Sequence, residues 1–155
     1  MKYNLIVQGE WRLERGSTGG ITHCACNSEN TDELYFNYSA SFELATTSLF
    51  KFPCVLFTVY SMDFFGRSVV LGYGQVPVSA EKGLKRKKVV IFKPKSHTWL
   101  SDVIGRLKGT PTEFINPKET VINNEGRTFV RSEAVGHLEI EFESTRIKWA
   151  ENGFH

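Results

Sequence analysis

The sequence predicts an antiparallel β-sandwich of about eight strands with one short helix, built as a single domain over residues 1–155. Short segments with alternating apolar and polar side chains recur along the chain, separated by clusters of Gly, Pro, Asn and Ser. Aromatic residues make up 13% of the chain, and such side chains pack well on pleated sheets. A length of 155 residues suits one domain.

The first part of the chain contains three alternating segments. Residues 3–8, 34–38 and 42–44 place apolar side chains at every second position, as expected of strands with one buried face. Residues 15–20 are rich in Gly, Ser and Thr, which predicts a loop.

The middle of the chain predicts a β-hairpin. Residues 54–61 are almost wholly apolar, as expected of a central strand covered on both faces, and residues 68–76 form the next strand. Asp63 and Gly66 suit the tight turn between them, because Gly adopts positive φ without a steric penalty. Pro77 should end the second strand, since it lacks the N–H that a sheet needs.

The last part predicts further strands at 88–93, 119–122, 127–131 and 138–142. A helix is predicted at 98–108, with Ser96 or Thr98 as its cap and Gly109 at its end. The core is expected to contain six apolar side chains from the two most regular strand patterns: Val55, Phe57, Val59, Leu138, Ile140 and Phe142.

Composition predicts a soluble cytoplasmic protein. No segment approaches the roughly 20 apolar residues that a membrane-spanning helix needs. The first ten residues are apolar too briefly for a signal peptide and are typical of a strand. The three cysteines are therefore expected to be reduced thiols.

Catalytic and metal-binding patterns are weak. His23, Cys24 and Cys26 with Cys54 could hold zinc, but a second ligand cluster at recognisable spacing is missing, so ordinary thiols are favoured. The sequence has no nucleophile elbow, P-loop or HExxH motif. We therefore expect no cofactor and no enzymatic activity.

Positive charge is concentrated in residues 51–110, which carry eleven Lys or Arg against three Asp or Glu. Its densest part contains Lys82, Lys85, Arg86, Lys87 and Lys88, in a predicted loop. This basic segment is either a solvated loop or a weak contact for anionic lipid or an acidic protein. Nucleic acid is disfavoured, because the aromatic residues occupy core positions rather than lying among these cations.

Three carboxylates, Glu139, Glu141 and Glu143, alternate with apolar residues in the last strand. This acidic row is either the solvated face of an outer strand or a protein interface. With the basic segment it would give the surface two regions of opposite sign, through which related domains could stack head to tail.

A motif across residues 52–77 resembles that of the B9-domain family, and residues 7–9, 111–118, 125–127 and 130–132 extend the resemblance over most of the chain. Its residues, expected to be structural, are Phe52, Pro53, Asp63, Phe65, Gly66, Arg67, Gly72, Tyr73, Gly74 and Pro77. The resemblance implies a C2-like sandwich in the transition-zone complex at the ciliary base. It also implies a hetero-oligomer with other B9-domain proteins and contact with membrane proteins that maintain a diffusion barrier.

The alternative is a calcium-dependent lipid-binding domain of the C2 type. Such a site needs several hard oxygen ligands from converging loops. The chain has three aspartates, Asp32, Asp63 and Asp102, in positions not expected to converge. Calcium binding is therefore disfavoured.

Overall fold

The computed structural model describes residues 1–26, 33–78, 81–95 and 131–147. These residues form eight strands, β1 (Lys2–Ile6), β2 (Arg12–Gly16), β3 (Gly19–Ile21), β4 (Phe42–Ala45), β5 (Cys54–Met62), β6 (Ser68–Pro77), β7 (Gly83–Pro94) and β8 (Ser132–Ser144). They contain no helix, and therefore no helix that could cross a membrane. The helix expected at 98–108 and the strand expected at 119–122 lie outside the described residues, as does nearly all of that expected at 127–131.

The strands form two antiparallel sheets, which confirms the predicted β-sandwich. The larger sheet has the order β3-β1-β5-β6-β7-β8, and the smaller one pairs β2 with β4. Strand β5 lies between β1 and β6, in the middle position that its apolar sequence predicted. Its antiparallel pairing with β6 runs from Cys54 opposite Pro77 to Met62 opposite Ser68, which confirms the predicted hairpin.

The main core lies between the two sheets. Tyr3, Val55 and Phe57 are buried on the large sheet, and Leu13 and Leu44 of the small sheet pack against them. Of the six expected core residues, Val55 and Phe57 are buried; the others are only half-buried, namely Val59, Leu138, Ile140 and Phe142.

A second buried cluster occupies the opposite face of the large sheet. Leu56, Tyr73 and Phe92 form this cluster, and Leu56 is among the most completely buried side chains of the described residues. The register explains why it is separate, since Leu56 alternates in direction with Val55 and Phe57 along β5. Strand β5 therefore needs apolar side chains on both faces.

The loop expected at 15–20 is wrong except at Ser17 and Thr18. Strand β2 continues to Gly16, and Gly19 begins β3, so the chain passes from the small sheet to the large one within two residues. Gly16 has φ +104°, and a Cβ there would lie 2.5 Å from the backbone oxygen of Ser41. Gly16 lies opposite Phe42 in the β2–β4 pair, so it marks a close approach of paired strands rather than a loop.

The strand expected at 34–38 is also wrong. These residues form no strand, although apolar side chains alternate along them. Asn37 has φ 43°, in the left-handed region, which interrupts an extended backbone. Leu34, Tyr35 and Tyr38 are consequently exposed, and the ring of Tyr38 lies 5.6 Å from that of Tyr3.

Candidate interaction surfaces

The turn between β5 and β6 is organised by one carboxylate. Oδ1 of Asp63 accepts hydrogen bonds from the backbone N–H groups of Phe65, at 2.9 Å, and Arg67, at 2.8 Å. Oδ2 accepts a hydrogen bond from Nε of Arg67 at 2.7 Å. Gly66 adopts φ +73° and donates its N–H to the Asp63 carbonyl oxygen. These bonds, above all that from the Arg67 backbone, lower the pKa of Asp63.

The same turn presents three large apolar side chains to solvent. Phe64 is 98% exposed, Phe65 is 73% exposed and Met62 is 66% exposed. The two phenylalanine rings meet edge to face at 5.7 Å, and the Arg67 guanidinium lies 5.1 Å from the Phe65 ring centre. We name Met62, Phe64 and Phe65 the hairpin tip.

Phe65 was expected to be structural, whereas Met62 and Phe64 were not among the predicted site residues. A signal was nevertheless present: two adjacent aromatic residues inside a tight turn have no sheet face to enter. The structure places Phe65 beside Arg67 at the surface, not in the core.

The Gly72-Tyr73-Gly74 motif lies where β6 meets β7. A Cβ on Gly72 would lie 2.7 Å from Cγ2 of Ile91 and 3.0 Å from the carbonyl oxygen of Phe92. A Cβ on Gly74 would also meet Ile91, at 2.6 Å from Cδ1. Tyr73 points to the other face, where it is buried. The two glycines therefore admit β7 on one face while the tyrosine fills the other.

The remaining motif residues lie at the opposite end of the β5–β6 pair. Pro53 is fully buried, and its carbonyl oxygen accepts a hydrogen bond from the N–H of Val78 at 2.9 Å. The ring of Phe52 packs 5.5 Å from that of Trp11. Pro77 ends β6 opposite Cys54, as predicted.

The basic segment was predicted to be a loop, and this prediction is wrong. Lys85, Arg86, Lys87 and Lys88 all lie in β7, which begins at Gly83 and pairs with β8 along its full length. Lys82 directly precedes the strand. The loop was predicted because neighbouring cations repel one another. In the structure, carboxylates of the next strand lie opposite some of these cations and offset that repulsion.

The acidic row lies directly across from this segment. Arg86 pairs with Glu141, and its Nε donates to Oε1 at 3.0 Å. Lys88 is opposite Glu139, with Nζ 4.0 Å from Oε1. Hydrogen bonding to Glu141 raises the pKa of the Arg86 guanidinium. We name these two pairs the charge ladder; the opposite signs share one face instead of forming two separate regions.

Lys85 and Lys87, the other two lysines of the basic segment within β7, point to the opposite face. Lys85 forms an ion pair with Glu81. Nζ of Lys87 donates to the carbonyl oxygen of Pro77 at 3.0 Å and lies 5.7 Å from the Phe142 ring centre. The four cations thus divide between two faces and do not form one patch.

Apolar side chains and a groove border the charge ladder. Leu84, opposite Glu143, is 69% exposed, and Val90 is 48% exposed on the same face of β7. Strands β6 and β7 pair only at Tyr73 and Phe92. A groove of about 720 Å³ lies beside that point, and its lining includes Gln75, Pro77, Lys88, Val90 and Ala134.

The described residues contain no group of three or more His, Cys, Asp or Glu side chains placed to hold a metal ion. Cys24 and Cys26 are exposed, whereas Cys54 is buried, and burial raises the pKa of its thiol. Asp63 uses its carboxylate within the turn. Asp32 and Asp102 lie outside the described residues.

Comparison with known proteins agrees with the resemblance found in the sequence. The family model described as "Ciliary basal body-associated, B9 protein" matches residues 1–145. B9 domain-containing protein 1 of Mus musculus and that of Homo sapiens are each 28% identical over 142 residues, covering 91% of this chain and 69% of theirs.

B9 domain-containing protein 2 of Danio rerio is 24% identical over 140 residues, which cover 90% of this chain and 78% of the fish protein. No solved structure matches the chain significantly. The family match extends over nearly all of the sequence, including the hairpin, the glycine pair and the charge ladder. The chain therefore belongs to the family of ciliary basal body-associated B9 proteins.

Proposed function

We propose that this protein is a non-enzymatic adaptor that docks against sibling B9-domain proteins in a hetero-oligomer at the transition zone of the cilium. In that assembly it contacts membrane proteins and supports the diffusion barrier at the ciliary base. Family membership supports the ciliary part of the proposal, and relatives named B9 domain-containing protein 1 and 2 supply candidate siblings.

The observation that carries the docking proposal is the charge ladder on the outer face of β7 and β8. Its pairs are exposed, with side-chain exposures of 70% for Arg86, 53% for Glu141 and 61% for both Lys88 and Glu139. Such exposed pairs contribute little to stability. A fixed pattern of alternating charge on an exposed face is instead suited to orienting a partner and raising its association rate.

The neighbours of the charge ladder supply apolar surface, which can provide the binding energy that exposed charges do not. Leu84 and Val90 are exposed on the same face, and Lys88 is among the residues that line the groove between β6 and β7. Desolvated apolar contacts provide most of the binding energy in protein interfaces, while the charged rim fixes their orientation. Among the described strands β8 pairs with β7 alone, so this face ends at a sheet edge.

The test exchanges the charges of one pair and keeps the pair itself. The double variant Arg86→Glu/Glu141→Arg can still form an ion pair across β7 and β8, so we expect an unchanged melting temperature. Co-expression with sibling B9 proteins followed by size-exclusion chromatography should show at least a tenfold loss of complex, since like charges would now face each other across the interface.

The small sheet offers a matched control. Arg15 of β2 and Glu43 of β4 form an exposed cross-strand ion pair, with Nε of Arg15 3.7 Å from Oε2 of Glu43. The exchange Arg15→Glu/Glu43→Arg should leave the complex intact. If the Arg86/Glu141 exchange is folded and co-elutes with its siblings as wild type does, the charge ladder is not the docking surface.

A further inference from the structure

We propose that the hairpin tip, formed by Met62, Phe64 and Phe65, inserts into the interface of an anionic phospholipid bilayer. This site is separate from the charge ladder and does not depend on docking between sibling domains. It goes beyond contact with membrane proteins, because it gives the domain a direct attachment to lipid.

The exposure of the hairpin tip is the first argument. Phe64 is 98% exposed, so its ring contributes almost nothing to packing within the protein. Met62 and Phe65 stand beside it with 66% and 73% of their surface exposed. Clustered exposed apolar side chains of this size mark a binding surface more often than an accident of folding.

The rigidity of the turn is the second argument. Three hydrogen bonds to the Asp63 carboxylate fix the backbone of Phe65 and the backbone and side chain of Arg67. Arg67 also lies over the Phe65 ring. The apolar side chains are thus held in position before binding, which reduces the entropy lost when they enter another phase.

The third argument is the positive charge at the same end of the sheet. Lys2 lies further back, because it pairs with Thr58, the middle residue of β5 and four residues before Met62. Strand β7 runs antiparallel to β6 and therefore ends at the hairpin end of the sheet, followed by Lys95, whose N–H donates to the carbonyl oxygen of Arg131 at 2.7 Å. Lys2, Lys95 and Arg131 are all exposed.

The described carboxylates at this end do not cancel that charge. Asp63 is bound by Arg67, and Glu133 lies opposite Lys93 in the pairing of β7 with β8. Apolar side chains at a tip with cations set behind them match the depth profile of an anionic bilayer, whose phosphates lie outside its acyl chains. This charge arrangement favours lipid over an apolar pocket in another protein.

The test measures co-sedimentation with vesicles of phosphatidylcholine alone and of phosphatidylcholine mixed with phosphatidylserine. Wild type should bind the mixed vesicles more tightly and lose binding as salt is added. Phe64→Ser/Phe65→Ser should lower the partition coefficient by about tenfold or more, because two rings no longer leave water. In Phe64→Trp, the added indole should shift its emission to the blue on the mixed vesicles.

Two controls separate the hairpin tip from other contacts. Phe50 is 70% exposed with Lys51 5.7 Å from its ring centre, and it precedes β5 at the opposite end of the sheet, so Phe50→Ser should bind as wild type. Arg86→Gln/Lys88→Gln tests the basic segment as a lipid contact and should retain most of the binding.

Three results would overturn the proposal. The first is a wild-type protein that binds neither vesicle at low salt. The second is a folded Phe64→Ser/Phe65→Ser variant whose binding equals that of wild type or falls no further than that of Phe50→Ser. The third is a double variant that keeps vesicle binding but loses its sibling proteins, which would assign the hairpin tip to a pocket in a protein.

Discussion

At the scale of single residues, Asp63 shows how one side chain can define a turn. Its carboxylate accepts hydrogen bonds from the backbone N–H groups of Phe65 and Arg67 and from Nε of Arg67. This turn leaves Phe64 and Phe65 outside the sheet. The family motif thus includes residues that stabilise the turn and residues whose side chains the turn exposes to solvent. Asp63, Gly66 and Arg67 belong to the first kind.

We expect Asp63→Ala to lower the melting temperature more than Asp63→Asn, because asparagine keeps an acceptor for the backbone N–H groups.

The pKa of Asp63 is lowered in the folded protein. Its charge therefore stabilises the fold at pH values above the pKa in the unfolded chain, about 3.9. That contribution is lost as the pH falls through the folded pKa. Thermal melts of wild type and Asp63→Asn should therefore converge in acid. Curves that stay equally far apart at all pH values would contradict this assignment.

At the scale of elements, the contact between β6 and β7 depends on two glycines, Gly72 and Gly74, which have no side chain to keep β7 away. Only Tyr73 and Phe92 are register partners there, and the glycines on either side of Tyr73 allow the side chain of Ile91 to approach the backbone. The sequence pattern indicated close approach at these glycines, but not which strand approaches.

Gly72→Ala should destabilise the protein by about 1–3 kcal/mol, the usual cost of forcing extra atoms into a packed site. Its new methyl group would meet Cγ2 of Ile91 at 2.7 Å and the backbone oxygen of Phe92 at 3.0 Å, and neither can easily move. Gly136→Ala is the control, since nothing lies within 4 Å of that Cβ position. Equal unfolding free energies for both variants in urea would show that the close approach at Gly72 is not required.

At the scale of the whole molecule, stability comes from the core between the two sheets. Phe57 lies in the middle strand of the large sheet and is buried against residues contributed by both sheets. Phe57→Ala should cost about 3–5 kcal/mol in denaturant unfolding, because it leaves a cavity in the main core. Phe50→Ala, which alters an exposed ring, should cost less than about 0.5 kcal/mol. A loss below about 1 kcal/mol for Phe57→Ala would contradict its position in the core.

Prediction from the sequence succeeded where the information was local. Alternation identified β1 and β4, a continuous apolar run identified β5, and Asp63 with Gly66 identified the hairpin that leads to β6. It failed at residues 34–38, where Asn37 interrupts an alternating pattern, and at 15–20, where glycines allow paired strands to approach closely. In each case the missing information was the conformation or the neighbour that the rest of the chain imposes.

The sequence by itself determined the sandwich, the hairpin and the family, because periodicity and turn residues act over a few neighbouring positions. Only the tertiary structure decided what the charges and exposed aromatic residues do. Arg86 and Glu141 are 55 residues apart in the chain, and the β7–β8 register joins them in one ladder. Phe57 and Phe64 are both phenylalanines of the same hairpin, yet one is buried and the other is almost fully exposed. The physical reason is that burial and charge pairing depend on which strand lies opposite, and that is set by the fold as a whole.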